Sequence, residues 1–305
     1  MLFALLFGMA LNYQCRDKLN SAGIGFCSST LLRVGIGLLG ARISWHQVVD
    51  LGWPTAVVVL AAVTSTLVCG LCVARVFGLN WTIGVLAGGA TAICGASAAL
   101  AIGAVLPRAG EGETSTDRHA LVVAVMATLL STVAMLTYPY IARTLELTAA
   151  NAGLFIGGSI HDVAQVVVAG YSISSSAGDA ASLVKLLRVS LLAVVVLAVS
   201  VASHSIGGAR DRPRLRPSRI ATLIPGFLWL FIAMAMFNSF GLLGHLRGVL
   251  DAASHACLIV GVAGLGIKTS FADLASAGRR VVLLMLWTSA WIAAITLGAA
   301  TILSG

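Results

Sequence analysis

The chain has 305 residues, of which 59% are hydrophobic and 10% are charged, whereas soluble domains carry about 25% charged residues. Nineteen basic and eleven acidic side chains cannot form a water-facing shell around so much apolar surface, and a mean hydropathy of +1.00 indicates lipid as the main solvent. A soluble globule is excluded, and the composition predicts an all-α polytopic membrane protein. Because loops account for the net charge of +8, we expect no nucleic-acid partner.

Apolar windows bounded by glycine, proline or charge predict about ten spans. Their approximate bounds are 1–13, 28–42, 54–75, 82–106, 119–142, 149–171, 182–203, 219–240, 254–271 and 281–303. Residues 1–305 then form a single transmembrane domain. The first window is too short for a bilayer core of about 30 Å at 1.5 Å per residue, so we expect one further helix upstream of it.

Basic residues in the loops differ between the two sides of the membrane if the ten spans cross alternately. One side carries twelve Lys and Arg residues, including those of the Arg210–Arg219 loop, and the other side carries four: Arg42, Arg108, Arg118 and Arg247. Lys and Arg are retained in the cytoplasm. The twelve-residue side is therefore predicted to be cytoplasmic, with both chain ends outside.

Two distant segments, Gly35–Gly52 and Gly261–Gly278, share small residues followed by a basic residue, a serine and an apolar tail. An odd number of spans separates them, so they would run in opposite directions, as the inverted repeats of secondary transporters do. The approximate halves are 1–148 and 149–305. Close packing of glycine-rich helices is the alternative explanation.

Ionisable residues inside spans are costly and mark candidate functional sites. Apart from residues at span ends, only Asp162 among the acidic residues and only His161 among the histidines lie inside a predicted span. Ser159, Asp162 and Gln165 recur every three residues in GGSIHDVAQVVVAG and would form one polar stripe on a helix, which the glycine pair before them can break. A structural hydrogen bond from Asp162 to a neighbouring helix is the alternative.

A second stripe, Thr91, Cys94 and Ser97, lies in the glycine-rich stretch GGATAICGASAALA. Such stretches predict discontinuous helices, whose half-helix N-termini attract anions near the middle of the membrane. Close packing through small side chains is the alternative.

Three basic residues also fall inside spans: Arg33, Lys185 and Arg188. Arg188 lies about 4.5 Å deeper than Lys185, and its planar guanidinium suits an oxyanion, with a salt bridge to Asp162 as the alternative. We expect Lys185 to extend towards the outer interface, and both Lys185 and Arg33 are treated as accessory charges. The candidate substrate-binding residues are Thr91, Cys94, Gly95, Ser97, Gly158, Ser159, Gln165 and Arg188, and the candidate proton-coupling residues are His161 and Asp162.

Across its whole length the chain resembles the YeiH-type sulfate exporter family of bacterial inner-membrane proteins. The stretches that carry the resemblance are LLRVGIGLLGARIS, GGATAICGASAALA, GGSIHDVAQVVVAG, SLVKLLRVSLL and PGFLWLFIAMAMFNS. The resemblance implies transport of sulfate, and a fold of inverted five-helix repeats with crossed broken helices, like that of bile-acid symporters and sodium/proton antiporters. The family commonly has Glu where this chain has Asp162, and usually one more helix at the amino end.

The sequence therefore predicts a multi-pass secondary transporter of the bacterial inner membrane that exports a small anion, sulfate or a related oxyanion, with protons carried by His161 and Asp162. A cation/proton antiporter and a passive anion channel remain alternatives. No P-loop, HExxH or GxSxG motif occurs, so we expect neither nucleotide use nor enzyme activity, and no cofactor or metal. The expected partners are the anion and the lipid bilayer, and a homodimer is left open.

Overall fold

The computed structural model describes residues 2–11, 18–43, 49, 52–106, 114–206, 226–268 and 278–303. Each of the ten predicted segments contains helix, and the described residues contain no strand, which confirms an all-α polytopic membrane protein. The helices are α1 (Leu2–Leu11), α2 (Lys18–Phe26), α3 (Leu32–Leu38), α4 (Gly52–Val76), α5 (Trp81–Ala92), α6 (Ala96–Gly103), α7 (Thr114–Thr144), α8 (Ala149–Ser159), α9 (Val163–Ile173), α10 (Ser175–Ser190), α11 (Leu192–Ile206), α12 (Gly226–Ser239), α13 (Leu246–Lys268) and α14 (Arg279–Ile302).

Helices α2 and α3 belong to one long segment, joined by a π-helical turn at Cys27–Leu31 and prolonged by a 3₁₀ turn at Leu39–Arg42. Five of the described helical segments are long and apolar enough to cross a membrane: Gly52–Val76, His119–Thr144, Ser175–Ser203, Leu246–Gly264 and Arg279–Ile302. The Arg210–Arg219 loop lies outside the described residues.

The segment 81–103 is a discontinuous helix, as the sequence predicts, and its two halves fold back on each other. A Cβ atom added to Gly89 would lie 2.2 Å from Ile102 Cδ1, and one added to Gly103 would lie 3.8 Å from Leu86 Cδ2. Positions before the break thus face positions after it, so α5 and α6 run antiparallel. We call this pair hairpin 1, and its tip is the break at residues 93–95.

The segment 149–173 folds back in the same way. Cβ atoms added to Gly153 and to Gly170 would lie 2.9 Å from Ala181 N and 3.0 Å from Ala181 Cβ, respectively. In a straight helix these two glycines would be about 25 Å apart. The Arg143 guanidinium also bonds the Ser172 carbonyl, which places the end of α7 beside the end of α9. Helices α8 and α9 form hairpin 2, with its tip at residues 160–162.

The two hairpins enter the protein from opposite ends. Helix α7 leads from the base of hairpin 1 to the base of hairpin 2, and its 31 residues span about 46 Å, more than a bilayer core. Ser131 and Thr132, near its middle, bond residues at or beside the tip of hairpin 2. Both tips therefore lie near mid-membrane.

The helices form two groups. The hairpin bundle contains α4–α11 and α14, and the flanking bundle contains α1–α3, α12 and α13. Helix α9 makes the main contacts between them, against α1 and α13. We call the part of the boundary between the two bundles that lies beside the amino end of α9 the cleft.

Within the flanking bundle, α3 and α13 carry the described parts of the two segments with a shared pattern. A Cβ added to Gly35 would lie 3.0 Å from Leu258 Cγ, and one added to Gly264 would lie 3.1 Å from Cys27 Cβ, so the two helices run antiparallel. The sequence predicts that the two segments run in opposite directions, and these two helices do. Most of the apolar tails of the two segments lies outside the described residues. The division into halves at residue 148 stays a prediction.

Candidate functional site

The two hairpin tips meet. A Cβ added to Gly95 would lie 3.6 Å from His161 Cβ and 3.8 Å from the His161 carbonyl. Gly95 has φ +63° and ψ −117°, a backbone conformation that residues with side chains rarely adopt, so glycine is required where the first tip turns. The predicted glycine-rich break is therefore found at Gly95 in hairpin 1.

Two cations from α10 lie fully buried between the tips. Arg188 Nε donates to the Ala92 carbonyl (2.9 Å), Nη2 to the Thr91 carbonyl (2.7 Å), and Nη1 to the Gly157 and Ile160 carbonyls (2.9 and 3.1 Å). Lys185 Nζ donates to the carbonyls of Ile93, Ile160 (3.0 Å) and His161 (2.6 Å). Both side chains have 0% exposure.

These bonds satisfy the carboxyl-terminal ends of α5 and α8, whose last carbonyls have no partner within the helix and carry partial negative charge. A backbone carbonyl without a hydrogen-bond partner in the hydrocarbon region costs on the order of several kcal/mol of free energy. Lys185 and Arg188 remove this cost at both helix breaks because they donate to these carbonyls.

The expectation that Lys185 extends to the interface is wrong, because the open carbonyls of both tips lie within its reach. The ion pairs of the described residues also do not include one between Arg188 and Asp162.

The amino ends of the second half-helices also lie at the tips. Helix α9 is capped by Asp162, whose Oδ1 accepts a hydrogen bond from Ala164 N at 2.8 Å. The backbone N–H of Asp162 donates to Ser131 Oγ at 3.0 Å. Helix α6 begins after Gly95, and its second residue, Ser97, is exposed. The positive ends of α6 and α9 thus also lie at the tips, near the carbonyls that Lys185 bonds.

The two candidate proton carriers differ in surroundings. Asp162 is partly exposed, beside the cleft. His161 is 2% exposed, and its Nε2 shares a hydrogen bond of 2.8 Å with Ser289 Oγ on α14. Of the two, Asp162 is the residue placed to meet a ligand in the cleft.

Neither predicted polar stripe is continuous, because each helix breaks inside it. Ser159 ends α8 and donates to the Phe155 carbonyl at 2.5 Å, whereas Gln165 lies on α9 and donates to Thr132 Oγ1 at 2.9 Å. Thr91, at the end of α5, shares a hydrogen bond of 3.1 Å with Thr288 Oγ1. These three side chains are buried behind the tips, and Cys94 is also buried, at the first tip.

The glycine pair Gly157 and Gly158, just before the tip of hairpin 2, does not break α8, which continues to Ser159. Instead, the pair allows close packing: a Cβ on Gly157 would lie 2.3 Å from the Ala181 carbonyl oxygen, and one on Gly158 would lie 2.7 Å from Thr296 Cγ2. Gly158 is thus a packing position against α14.

The sequence analysis missed the polar residues of α7 and α14 that support the tips. Ser131 and Thr132 bond hairpin 2, Thr288 bonds hairpin 1, and Ser289 holds the imidazole of His161. Their signal in the sequence is an adjacent pair of hydroxyl residues at the middle of an otherwise apolar span. Such pairs also occur where helices only pack, so the partners are needed to interpret them.

The family described as Conserved hypothetical protein 698 matches residues 1–285. The chain is 44% identical to the UPF0324 membrane protein TauZ of Paracoccus pantotrophus, covering 96% of this chain and 85% of that protein. It is 33% identical to the UPF0324 inner membrane protein YeiH of Escherichia coli, covering 95% and 81%, respectively. No solved structure matches. The chain belongs to the UPF0324 family of membrane proteins.

Proposed function

We propose that this protein is a secondary transporter that exports a small anion, sulfate or another sulfur-containing oxyanion, across the bacterial inner membrane. The substrate site is the cleft-facing side of the two hairpin tips, where Ser97, Asp162 and the amino ends of α6 and α9 lie. Transport, and not catalysis, is the function that a pair of half-membrane hairpins suits.

The charge at the tips is the observation that carries this proposal. Lys185 and Arg188 are two buried cations at mid-membrane, and Asp162 is the acidic residue at the same place. The cations bond carbonyls, so they neutralise the negative helix ends, and the positive end of α6 has no side-chain cap from Gly95 while that of α9 is capped by Asp162. An excess of positive charge favours an anion over a cation, which disfavours the cation/proton antiporter.

Asp162 gives the site its dependence on protons. Its ionised carboxylate occupies the positive end of α9 and repels an approaching anion. Protonation removes that negative charge, so anion binding and proton binding at Asp162 favour each other.

Export needs no nucleotide. An anion leaving a cell with a negative interior gains about 2.3 kcal/mol per charge for each 100 mV of membrane potential. An outward concentration gradient of the anion adds to this driving force, whereas a proton that leaves with the anion moves against an inward proton gradient.

The test is flux through purified protein in liposomes. Labelled sulfate uptake is measured with and without a pH gradient, with sulfite, methanesulfonate and chloride as competitors. We expect saturable sulfate flux that falls in Ser97→Ala and keeps its wild-type value in Ser190→Ala, whose exposed hydroxyl bonds its own helix on α10.

Three results would contradict the proposal. Cation flux without anion flux would favour the antiporter. Unsaturable currents far above carrier turnover would indicate a channel. Equal rates in protein-containing and empty liposomes for every anion would exclude transport of these substrates.

A further inference from the structure

Arg33 is an exposed cation in the middle of the segment formed by α2 and α3. The opposite face of this segment packs on α13, where Leu32 and Gly35 contact Gly261 and Leu258. An arginine facing lipid at this depth would be costly. Its exposure therefore points to a polar surrounding, and the carboxyl end of the same segment contacts hairpin 2 through Arg42 and Tyr171.

The depth of Arg33 can be compared with that of Asp162 through a contact between the bundles. Arg42, at the end of the 3₁₀ turn, lies over the ring of Tyr171 at 5.5 Å and within 3.4 Å of Asp179 Oδ1. Arg33 is nine residues before Arg42, and Asp162 is nine residues before Tyr171.

The two stretches run in the same direction, since both end at the base of hairpin 2. Nine residues rise about 13 Å in an α-helix and somewhat more in a 3₁₀ turn. Arg33 and Asp162 therefore lie at nearly the same depth on either side of the cleft.

The charges agree with this placement. Among the described residues, Lys185 and Arg33 are cations near enough to interact electrostatically with the Asp162 carboxylate. Lys185 is held by three carbonyls, whereas no hydrogen bond or ion pair of the described residues involves Arg33.

We propose that Arg33 is the anion-binding residue of the flanking bundle, facing Ser97 and Asp162 of the hairpin bundle. This inference rests on the proposed function and adds a shared site to it. A planar guanidinium can donate two parallel hydrogen bonds to a sulfate or sulfonate group. The anion then contacts both bundles, so its binding draws them together and its release lets them separate.

The first test measures water access and does not depend on transport. Arg33→Cys and Leu60→Cys are made in a chain whose six native cysteines are replaced by alanine. Leu60 is a lipid-side control, 52% exposed on α4 and about as far from the base of hairpin 2 as Arg33. We expect a water-soluble methanethiosulfonate reagent to modify the cysteine at position 33 much faster than the one at position 60. Equal slow rates would overturn the inference.

The second test measures anion recognition. Arg33→Gln is expected to weaken sulfate affinity at least tenfold in liposomes, with partial recovery in Arg33→Lys. Arg279→Gln, at the start of α14, is the charge control. Sulfate flux that responds to Ser97→Ala and is unchanged in Arg33→Gln would overturn this inference and leave the proposed function standing. No anion flux in the unmodified protein would overturn both, whatever the modification rates.

Discussion

At the scale of single residues, Arg188 acts as a bridge between the two hairpins. It bonds two carbonyls of α5 and two of hairpin 2, from a fully buried position. Each bond from a charged donor contributes about 1.5 to 3 kcal/mol. The sequence predicts that the fold survives Arg188→Ala and only anion affinity falls, whereas these contacts predict a loss of stability.

We therefore expect Arg188→Ala to lower the unfolding temperature in detergent and to abolish flux of every substrate. Arg188→Lys should recover part of the stability, because one ammonium can reach some of the same carbonyls. Arg279→Ala is the control, at the exposed start of α14. An unfolding temperature equal to that of the unmodified protein, with weaker anion affinity alone, would restore the interpretation from the sequence.

Asp162 carries the second prediction at this scale. Asn is a good helix N-cap, so Asp162→Asn should keep the bond from Ala164 N and the fold, but it cannot titrate. Anion flux should rise as pH falls in the unmodified protein, because protonation removes the repelling charge, and it should become flat with pH in Asp162→Asn.

Asp162→Glu keeps a titratable carboxyl group and is the matched control, for which a pH-dependent flux is expected. The measurement is initial sulfate uptake by liposomes between about pH 3.5 and 8, a range that includes the ordinary pKa values of carboxyl groups, about 4, and of imidazole, about 6.5. An unchanged pH profile in Asp162→Asn would assign the proton coupling elsewhere, with His161 as the next candidate.

The sequence shows which residues to suspect, because an ionisable group inside a span is visible by its cost alone. It cannot show what they bond, since the carbonyls that hold Lys185 and Arg188 lie between 24 and 97 positions away along the chain. The function of a buried cation depends on these partners.

At the scale of helices and hairpins, the ten segments could be predicted because lipid requires long apolar stretches. The sequence did not predict that two of these segments turn back on themselves. Helices α5 and α6 have 12 and 8 residues and are separated by a three-residue break, so together they have the length of one crossing helix. What turns them is the tertiary contact with Lys185 and Arg188.

Hairpin 2 gives a prediction about packing. A Cβ on Gly157 would lie 2.3 Å from the Ala181 carbonyl oxygen, which belongs to helix backbone and cannot move freely. We expect Gly157→Ala to destabilise the protein by about 1 to 3 kcal/mol, the usual cost of overpacking. Gly248→Ala is the control, because that glycine lies in α13 with nothing within 4 Å of the added atom. Thermal unfolding in detergent measures both, and equal unfolding temperatures would show that α8 and α10 can separate without cost.

At the scale of the whole molecule, the hairpins change the charge balance between the two membrane sides. A segment that turns back leaves the chain on the side from which it entered. The connections that follow hairpin 1 and precede hairpin 2 are therefore predicted on the opposite side of the membrane from the one that ten full crossings would give them. This moves Arg108 and Arg118 to the predicted cytoplasmic side and Arg143 to the outer side, giving thirteen basic residues against three, where ten crossings give twelve against four. The sharper asymmetry agrees better with retention of Lys and Arg in the cytoplasm.

The connections before hairpin 1 and before hairpin 2 therefore lie on opposite sides of the membrane, where ten crossings would place them both inside. Asn80 and Leu145 are exposed residues in these connections, and each can be replaced by cysteine in the cysteine-free chain. In intact cells, a membrane-impermeant maleimide should label Leu145→Cys and not Asn80→Cys, and in inverted vesicles the result should reverse. Labelling of both positions from the same side would show that the segment 81–103 crosses the membrane completely, and the meeting of the two tips at mid-membrane would then be wrong.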